Sequence, residues 1–135
     1  MRETRAAVTD THPLLFHAAG GRRLGRAAAA HFRASEAQRA LTYVPAAVIW
    51  EVSLLARVRR IDLRRSVRAF FEDLFSNPAY QPIDLSLAQI LLADESRPND
   101  DPFDALICAS AITLELPLIT RDVAITRAGT VETLW

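Results

Sequence analysis

Cysteine is almost missing from this sequence. The single Cys108 excludes a disulfide framework within the chain and fits a reducing compartment; set in an apolar run, it reads as a small buried hydrophobe. No stretch approaches the roughly 18 uninterrupted apolar residues that a membrane helix needs. The opening Met1-Arg-Glu-Thr-Arg has no apolar core behind it, so no export signal is expected either. A soluble, cytoplasmic protein without a membrane partner is the expectation. With only four glycines there is no Gly-rich phosphate loop, and no nucleophile elbow supports Ser/His/Asp catalysis. His12, His17 and His31 lack any Cys or His partner at zinc-site spacing.

Lysine is absent altogether: all 16 basic residues are arginine, against 16 carboxylates. Genomic base composition explains such a bias as readily as function does, although arginine also suits bidentate phosphate contact better than lysine. The neutral total conceals a split. Residues 1–70 hold 13 arginines and five acids, whereas residues 71–135 hold three arginines and 11 acids.

What is present is ordinary globular material: 135 residues, 50% of them hydrophobic, which fits one domain spanning 1–135 with a core of its own. No repeat or low-complexity tract divides it. Strand and helix signals alternate. Residues 6–9 read as a short strand, and Pro13 suits the first turn of the helix that follows. A helix is expected over 22–34, a strand over 41–44, a helix from Pro45 to about Arg60, and another over 63–75. Residues 80–85 form the next expected strand, and Ser86 is a good N-cap for the helix after it. Asp101-Pro102 opens a helix to about Glu115. A buried strand over 116–120, a turn at Arg121-Asp122 and a last strand over 131–135 complete the pattern. Alternation of this kind predicts a parallel sheet covered on both faces, with ligands bound beyond the carboxyl ends of its strands.

That edge is where acids gather. Asp10 and Asp122 each follow the end of an expected strand, and Asp104 falls in the first turn of a helix, where the dipole favours an anion. Glu51 is the odd member. On its helix Val48 and Leu55 stand at helical spacing from it, and Arg57, Arg59 and Arg60 are too far along to pair with it. A carboxylate at the margin of a core is costly unless paired or bound to metal. Carboxylates brought together repel and shift one another's pKa values upward, and a divalent cation removes that penalty. An all-oxygen donor set suits Mg²⁺ or Mn²⁺, which can activate water and steady the leaving oxygen in phosphodiester hydrolysis. His12, beside Asp10, is either a substrate contact or a helix-start residue that merely faces the pocket. A haloacid-dehalogenase-type phosphatase would want Asp at position 12, where His stands.

Four motifs then point to a family. Val8-Thr-Asp-Thr-His-Pro-Leu-Leu-Phe16, Pro45-Ala-Ala-Val-Ile-Trp-Glu51, Asp101-Pro-Phe-Asp-Ala-Leu-Ile-Cys-Ala-Ser-Ala111 and Leu116-Pro-Leu-Ile-Thr-Arg-Asp122 occur in that order. In this the chain resembles the PIN-domain nucleases, and among them the VapC-type toxins of type II toxin–antitoxin pairs, over nearly its whole length. The resemblance implies a three-layer α/β/α sandwich around a mostly parallel sheet of about five strands. It also implies that Asp10, Glu51, Asp104 and Asp122 hold Mg²⁺ or Mn²⁺ and cleave RNA, with an antitoxin partner and a homodimer or toxin–antitoxin hetero-oligomer. Asp101 is a helix-start acid in this pattern, and Thr11 and Thr120 adjoin the acids closely enough to orient them. Phe16 stands where the family usually has Trp, and Asn99-Asp100 replaces a more basic approach to the Asp101 motif.

The leading expectation is therefore a metal-dependent endoribonuclease acting as a toxin. The alternative is a PIN-like module that binds RNA or antitoxin with little turnover. The Arg-rich segments 22–26 and 57–68 are either phosphate contacts or solvated helix faces.

Overall fold

A computed structural model describes residues 5–135. The opening residues, on which the expectation of no export signal rests, lie outside the described residues apart from Arg5. β1 (Arg5–Thr9), β2 (Ala40–Pro45), β3 (Tyr80–Ile83), β4 (Leu118–Ile119) and β5 (Thr133–Leu134) form one sheet in the order β3-β2-β1-β4-β5. Every pairing is parallel. The helices α1 (Thr11–Ala18), α2 (Arg26–Glu36), α3 (Ala46–Arg57), α4 (Val67–Phe75), α5 (Leu87–Glu95), α6 (Pro102–Leu114) and α7 (Val123–Ala128) fill the connections. This is the expected α/β/α sandwich, and the sheet is parallel throughout.

Parallel strands covered on both faces should be apolar on both sides. Accordingly Ala7, Val8 and Thr9 of the central strand are wholly buried, as are Leu118 and Ile119 of β4. Val48 and Val52 of α3, Phe32 of α2 and Ile107 of α6 complete the packing, and Cys108 lies among them as expected. Away from the sheet edge, Glu36 accepts hydrogen bonds from Tyr80 at 2.8 Å and pairs with His17 at 2.7 Å, tying α1, α2 and β3 together. Burial works against the charged Glu36, but the bonds from His17 and Tyr80 outweigh it and lower its pKa.

Several boundaries differ from the expected ones, each for a local reason. α2 begins at Arg26, because Gly25 is its N-cap and residues 22–25 turn instead. α3 stops at Arg57, and Arg59 adopts a left-handed φ of 61°. α4 begins only at Val67, behind a left-handed Arg64 and a Ser66 N-cap whose hydroxyl accepts from Ala69 N at 3.0 Å. α7 is a helix where only a turn was expected.

Candidate active site

The chain lays β2 and β3 on one side of β1, then crosses to place β4 and β5 on the other. Such a switch in strand order leaves a crevice beyond the carboxyl ends of β1 and β4. Asp10 follows β1 directly, stands at that crevice and caps α1. Only 8% of its surface is exposed. Its Oδ1 accepts from Thr11 N at 2.8 Å, and its Oδ2 accepts from the Thr120 hydroxyl at 2.8 Å, so both oxygens are pinned. Burial raises the pKa of this carboxyl; the two hydrogen bonds oppose the shift without cancelling it.

Glu51 projects from α3, the helix that leaves β2. The fully buried Thr11 donates its hydroxyl to Glu51 Oε1 at 2.5 Å while its N–H serves Asp10. Burial again raises the carboxyl's pKa, and proximity to Asp10 and Asp101 adds to the rise. The half-buried position expected at the core margin is observed, whereas its chain neighbour Trp50 faces solvent.

Asp122 is the N-cap of α7: its Oδ1 accepts from Ile125 N at 2.9 Å, and its own N–H donates to Thr120 Oγ1 at 3.1 Å. One hydrogen-bonded chain therefore runs from Glu51 through Thr11, Asp10 and Thr120 to Asp122.

Asp104 enters from α6. Asp101 caps this helix by accepting from Phe103 N at 2.8 Å and Asp104 N at 3.3 Å. Asn99 holds both acids, donating Nδ2 to Asp104 Oδ2 at 2.9 Å and accepting Asp101 N–H on Oδ1 at 2.8 Å. Burial pushes the Asp104 carboxyl up to about 7, and Asp10, Asp101 and Asp122 push in the same direction, against the Asn99 bond. One turn further along α6, burial, with Asp104, Asp10 and Asp122 adding to it, pushes the Cys108 thiol up to about 12, which leaves it un-ionised and inert.

The four acids predicted from sequence thus meet at one sheet edge, close enough that Asp10, Glu51 and Asp104 each feel a neighbouring acid. Among the described residues none of the four is in an ion pair with arginine. His12 is exposed on the rim, and its positive charge eases both Asp10 and Glu51. Among the described residues no three His, Cys, Asp or Glu side chains converge into a ready-made ligand cage. Mg²⁺ does not require one, since it binds through one or two carboxylates and keeps waters. An all-oxygen set carrying uncompensated negative charge fits that ion or Mn²⁺ and not a soft metal.

Asn99 is the residue that sequence reasoning undervalues, noted only as a departure from a basic approach. Its signal is an Asn two residues before a helix-capping Asp, an arrangement that turns the backbone through a side-chain acceptor. The Arg-rich segments divide. Arg23, Arg60, Arg64 and Arg65 line a groove that also contains His12 and Arg121. Arg68, by contrast, sits on an exposed helix face 3.7 Å from Glu72.

A family model described as the PIN domain matches residues 7–130. No curated protein sequence matches the chain. Among solved structures, the chain is similar to VapBC2 from Rickettsia felis bound to a DNA fragment from their promoter, at 14% identity and a TM-score of 0.68. That match covers 95% of this chain and 96% of that one. DNA-bound VapBC from Salmonella typhimurium matches at 12% identity and a TM-score of 0.68, covering 97% of each chain. FitAcB from Neisseria gonorrhoeae matches at 16% identity and a TM-score of 0.65, covering 94% of this chain and 95% of that one. At these identities the likeness is one of fold.

Proposed function

The chain belongs to the PIN-domain family, and from that premise we propose that it is a Mg²⁺- or Mn²⁺-dependent endoribonuclease, the VapC-type toxin of a type II toxin–antitoxin pair. One observation carries the reading: a buried carboxylate, Asp10, has both oxygens fixed by neutral donors amid three further acids that no arginine neutralises among the described residues. Groups arranged in this way destabilise the fold unless a cation joins them. Asp10, Glu51, Asp104 and Asp122 are the residues that would hold it. When bound, the ion supplies Lewis acidity for activating water and easing charge on the leaving oxygen.

The protein's own contribution is orientation and charge. Thr11 and Thr120 fix the two Asp10 oxygens, so these cannot rotate to meet an incoming ligand and no reorganisation is required on binding. Asp104, held by Asn99 and pushed up to about 7, presents a carboxylate able to accept a proton from attacking water near neutral pH, and Glu51, held by Thr11, is shifted in the same direction. Asp122, anchored by the first turn of α7, closes the remaining side.

RNA as substrate comes from the family resemblance, and the toxin reading is supported by the toxin–antitoxin assemblies among the structural relatives. A cognate antitoxin, a homodimer or toxin–antitoxin hetero-oligomer, and a cytoplasmic location belong to the same proposal; among the described residues no helix is long and apolar enough to cross a membrane. The test is cleavage of single-stranded RNA by the purified protein with Mn²⁺, with Mg²⁺ and with EDTA, beside Asp10→Asn. Cleavage in both metals, none in EDTA and none by Asp10→Asn is expected. Activity that survives EDTA or Asp10→Asn rules the acidic mechanism out. RNA binding without turnover in any metal would favour the binding-module alternative.

A further inference from the structure

We propose that Arg23 and Arg121, gathered on the ring of Phe16, form a two-point phosphate clamp for the RNA strand where it leaves the acidic crevice. This rests on the ribonuclease reading. The guanidinium carbon of Arg23 lies 4.4 Å from the Phe16 ring centroid and that of Arg121 lies 4.9 Å from it; Arg121 also approaches the Trp135 ring at 6.0 Å. Phe16 sits in α1, the helix capped by Asp10, and Arg121 stands between Thr120 and Asp122. The ring and Arg121 are therefore carried by the same two segments that build the crevice, and Arg23 reaches the ring from the turn over 22–25.

Both guanidiniums are exposed, and neither makes an ion pair among the described residues, whereas Arg65, Arg68 and Arg97 each meet an acid. Two like charges on one ring repel, and the negative face of the aromatic offsets part of that repulsion. Stacking leaves the N–H edges of a planar guanidinium free, an arrangement suited to bidentate contact with phosphate. The groove in which they lie is also lined by His12, Arg60 and Arg64, with Glu36, Asp62 and Asp73 among its other walls. A polyanion favours this surface over an acidic protein segment for a reason internal to the site. The scissile phosphate must approach four carboxylates that repel it, and flanking phosphates held by cations counter that repulsion along the same strand.

The experiment is fluorescence anisotropy of a labelled oligouridine 12-mer in EDTA, from low to physiological salt. Arg23→Gln and Arg121→Gln are each expected to flatten the slope of log affinity against log salt by about 0.7, the value for one single-strand phosphate contact, and to weaken binding several-fold. Phe16→Leu retains both charges and most of the apolar volume, so a flattened slope in that variant reports the loss of the platform. Arg97→Gln, which removes an equal charge from a residue paired with Asp94, is expected to leave the slope unchanged. Slopes for Arg23→Gln and Arg121→Gln no flatter than that of Arg97→Gln overturn the clamp while leaving RNA cleavage by the parent protein intact. A parent protein that neither binds the oligomer nor cleaves RNA with Mn²⁺ overturns the ribonuclease reading and the clamp with it. Displacement of the RNA by a polyglutamate peptide at equal charge concentration assigns the pair to an acidic protein segment and likewise overturns it.

Discussion

Thr120 donates its hydroxyl to Asp10 Oδ2 at 2.8 Å, joining the ends of the two strands that flank the switch in sheet order. Thr120 Oγ1 in turn accepts the N–H of Asp122 at 3.1 Å. Thr11 performs the matching service on the other side of Asp10, giving its N–H to that residue and its hydroxyl to Glu51. The positions of the acids are thus set by neutral groups that donate and accept, while their negative charge stays uncompensated by arginine among the described residues. Structure and electrostatics are separable here, which makes each testable alone.

Thr120→Val keeps the side-chain shape and deletes both bonds. A buried Asp10 oxygen then lacks a partner, at a cost of about 1–3 kcal/mol of stability. The lost donor was opposing the upward pull of burial, so the Asp10 carboxyl ionises at higher pH still and the rate–pH profile moves to the alkaline side. Thr120→Ser is expected to restore both properties. Urea unfolding and a cleavage rate–pH profile check the pair, and an unmoved profile in the Val variant would detach this hydroxyl from Asp10 ionisation.

Asn99→Ala removes the bond that opposes the upward shift of Asp104. With a carboxyl already near 7, the variant spends more time protonated at neutral pH, so cleavage at pH 7 should fall several-fold and recover toward pH 9. Asn99→Asp places another negative charge against Asp104 and should fall further. Equal activity of parent and Asn99→Ala at pH 7 contradicts this.

The acids are legible in sequence because each is anomalous in its setting: Asp10 and Asp122 after strands, Asp104 in a helix start, Glu51 beside Val48 and Leu55 on a core-facing helix. The alternation of strand and helix likewise reveals the parallel sheet. What stays hidden depends on residues distant along the chain. Within residues 22–25 only Gly25 disfavours a helix, and its use as the N-cap of α2 goes with the seating of Trp135 against it, a contact from the far end of the chain. α7 is too short for an apolar period, and only Ile125 is buried in it, so nothing beyond the Asp122 cap announces it. Arg23 and Arg121 are far apart in sequence, and their meeting on Phe16 exists only in three dimensions.

The metal-free protein should be less stable at pH 8 than at pH 5. A carboxyl whose folded pKa is raised binds protons more readily when folded than when unfolded, so its contribution is complete below the unfolded value and disappears as pH rises through the folded one. For Asp104 that window runs from the ordinary 3.8 to about 7, and Asp10 and Glu51 shift in the same direction. Asp104→Asn removes one of these terms. It should flatten the decline, gaining about 1–2 kcal/mol at pH 8 after allowance for solvent screening at a half-buried group, and abolish cleavage. Mg²⁺ should stabilise the parent more at pH 8 than at pH 5. Urea unfolding in EDTA at the two pH values, repeated with Mg²⁺, decides the matter; a parent more stable at pH 8 in EDTA would reverse the sign.

Gly25 and Gly20 offer a contrast between space and conformation. At Gly20, φ is +107° and nothing lies near an added Cβ, so Gly20→Ala incurs backbone strain alone, about 1–2 kcal/mol. Gly25 has an ordinary φ of −67°, but an added Cβ would collide with the Trp135 carbonyl and indole ring. That carbonyl accepts Ala28 N–H at 3.0 Å, and the preceding Leu134 carbonyl accepts Thr120 N–H at 3.2 Å. Displacing Trp135 therefore pulls on β5, then on the backbone of Thr120, and so on the hydroxyl that positions Asp10. Overpacking of this kind costs about 1–3 kcal/mol. Gly20→Ala should lower thermal stability while sparing cleavage measured well below its melting point, whereas Gly25→Ala should lower both. Full cleavage by a destabilised Gly25→Ala would show that the seat of Trp135 and the grip on Asp10 are independent.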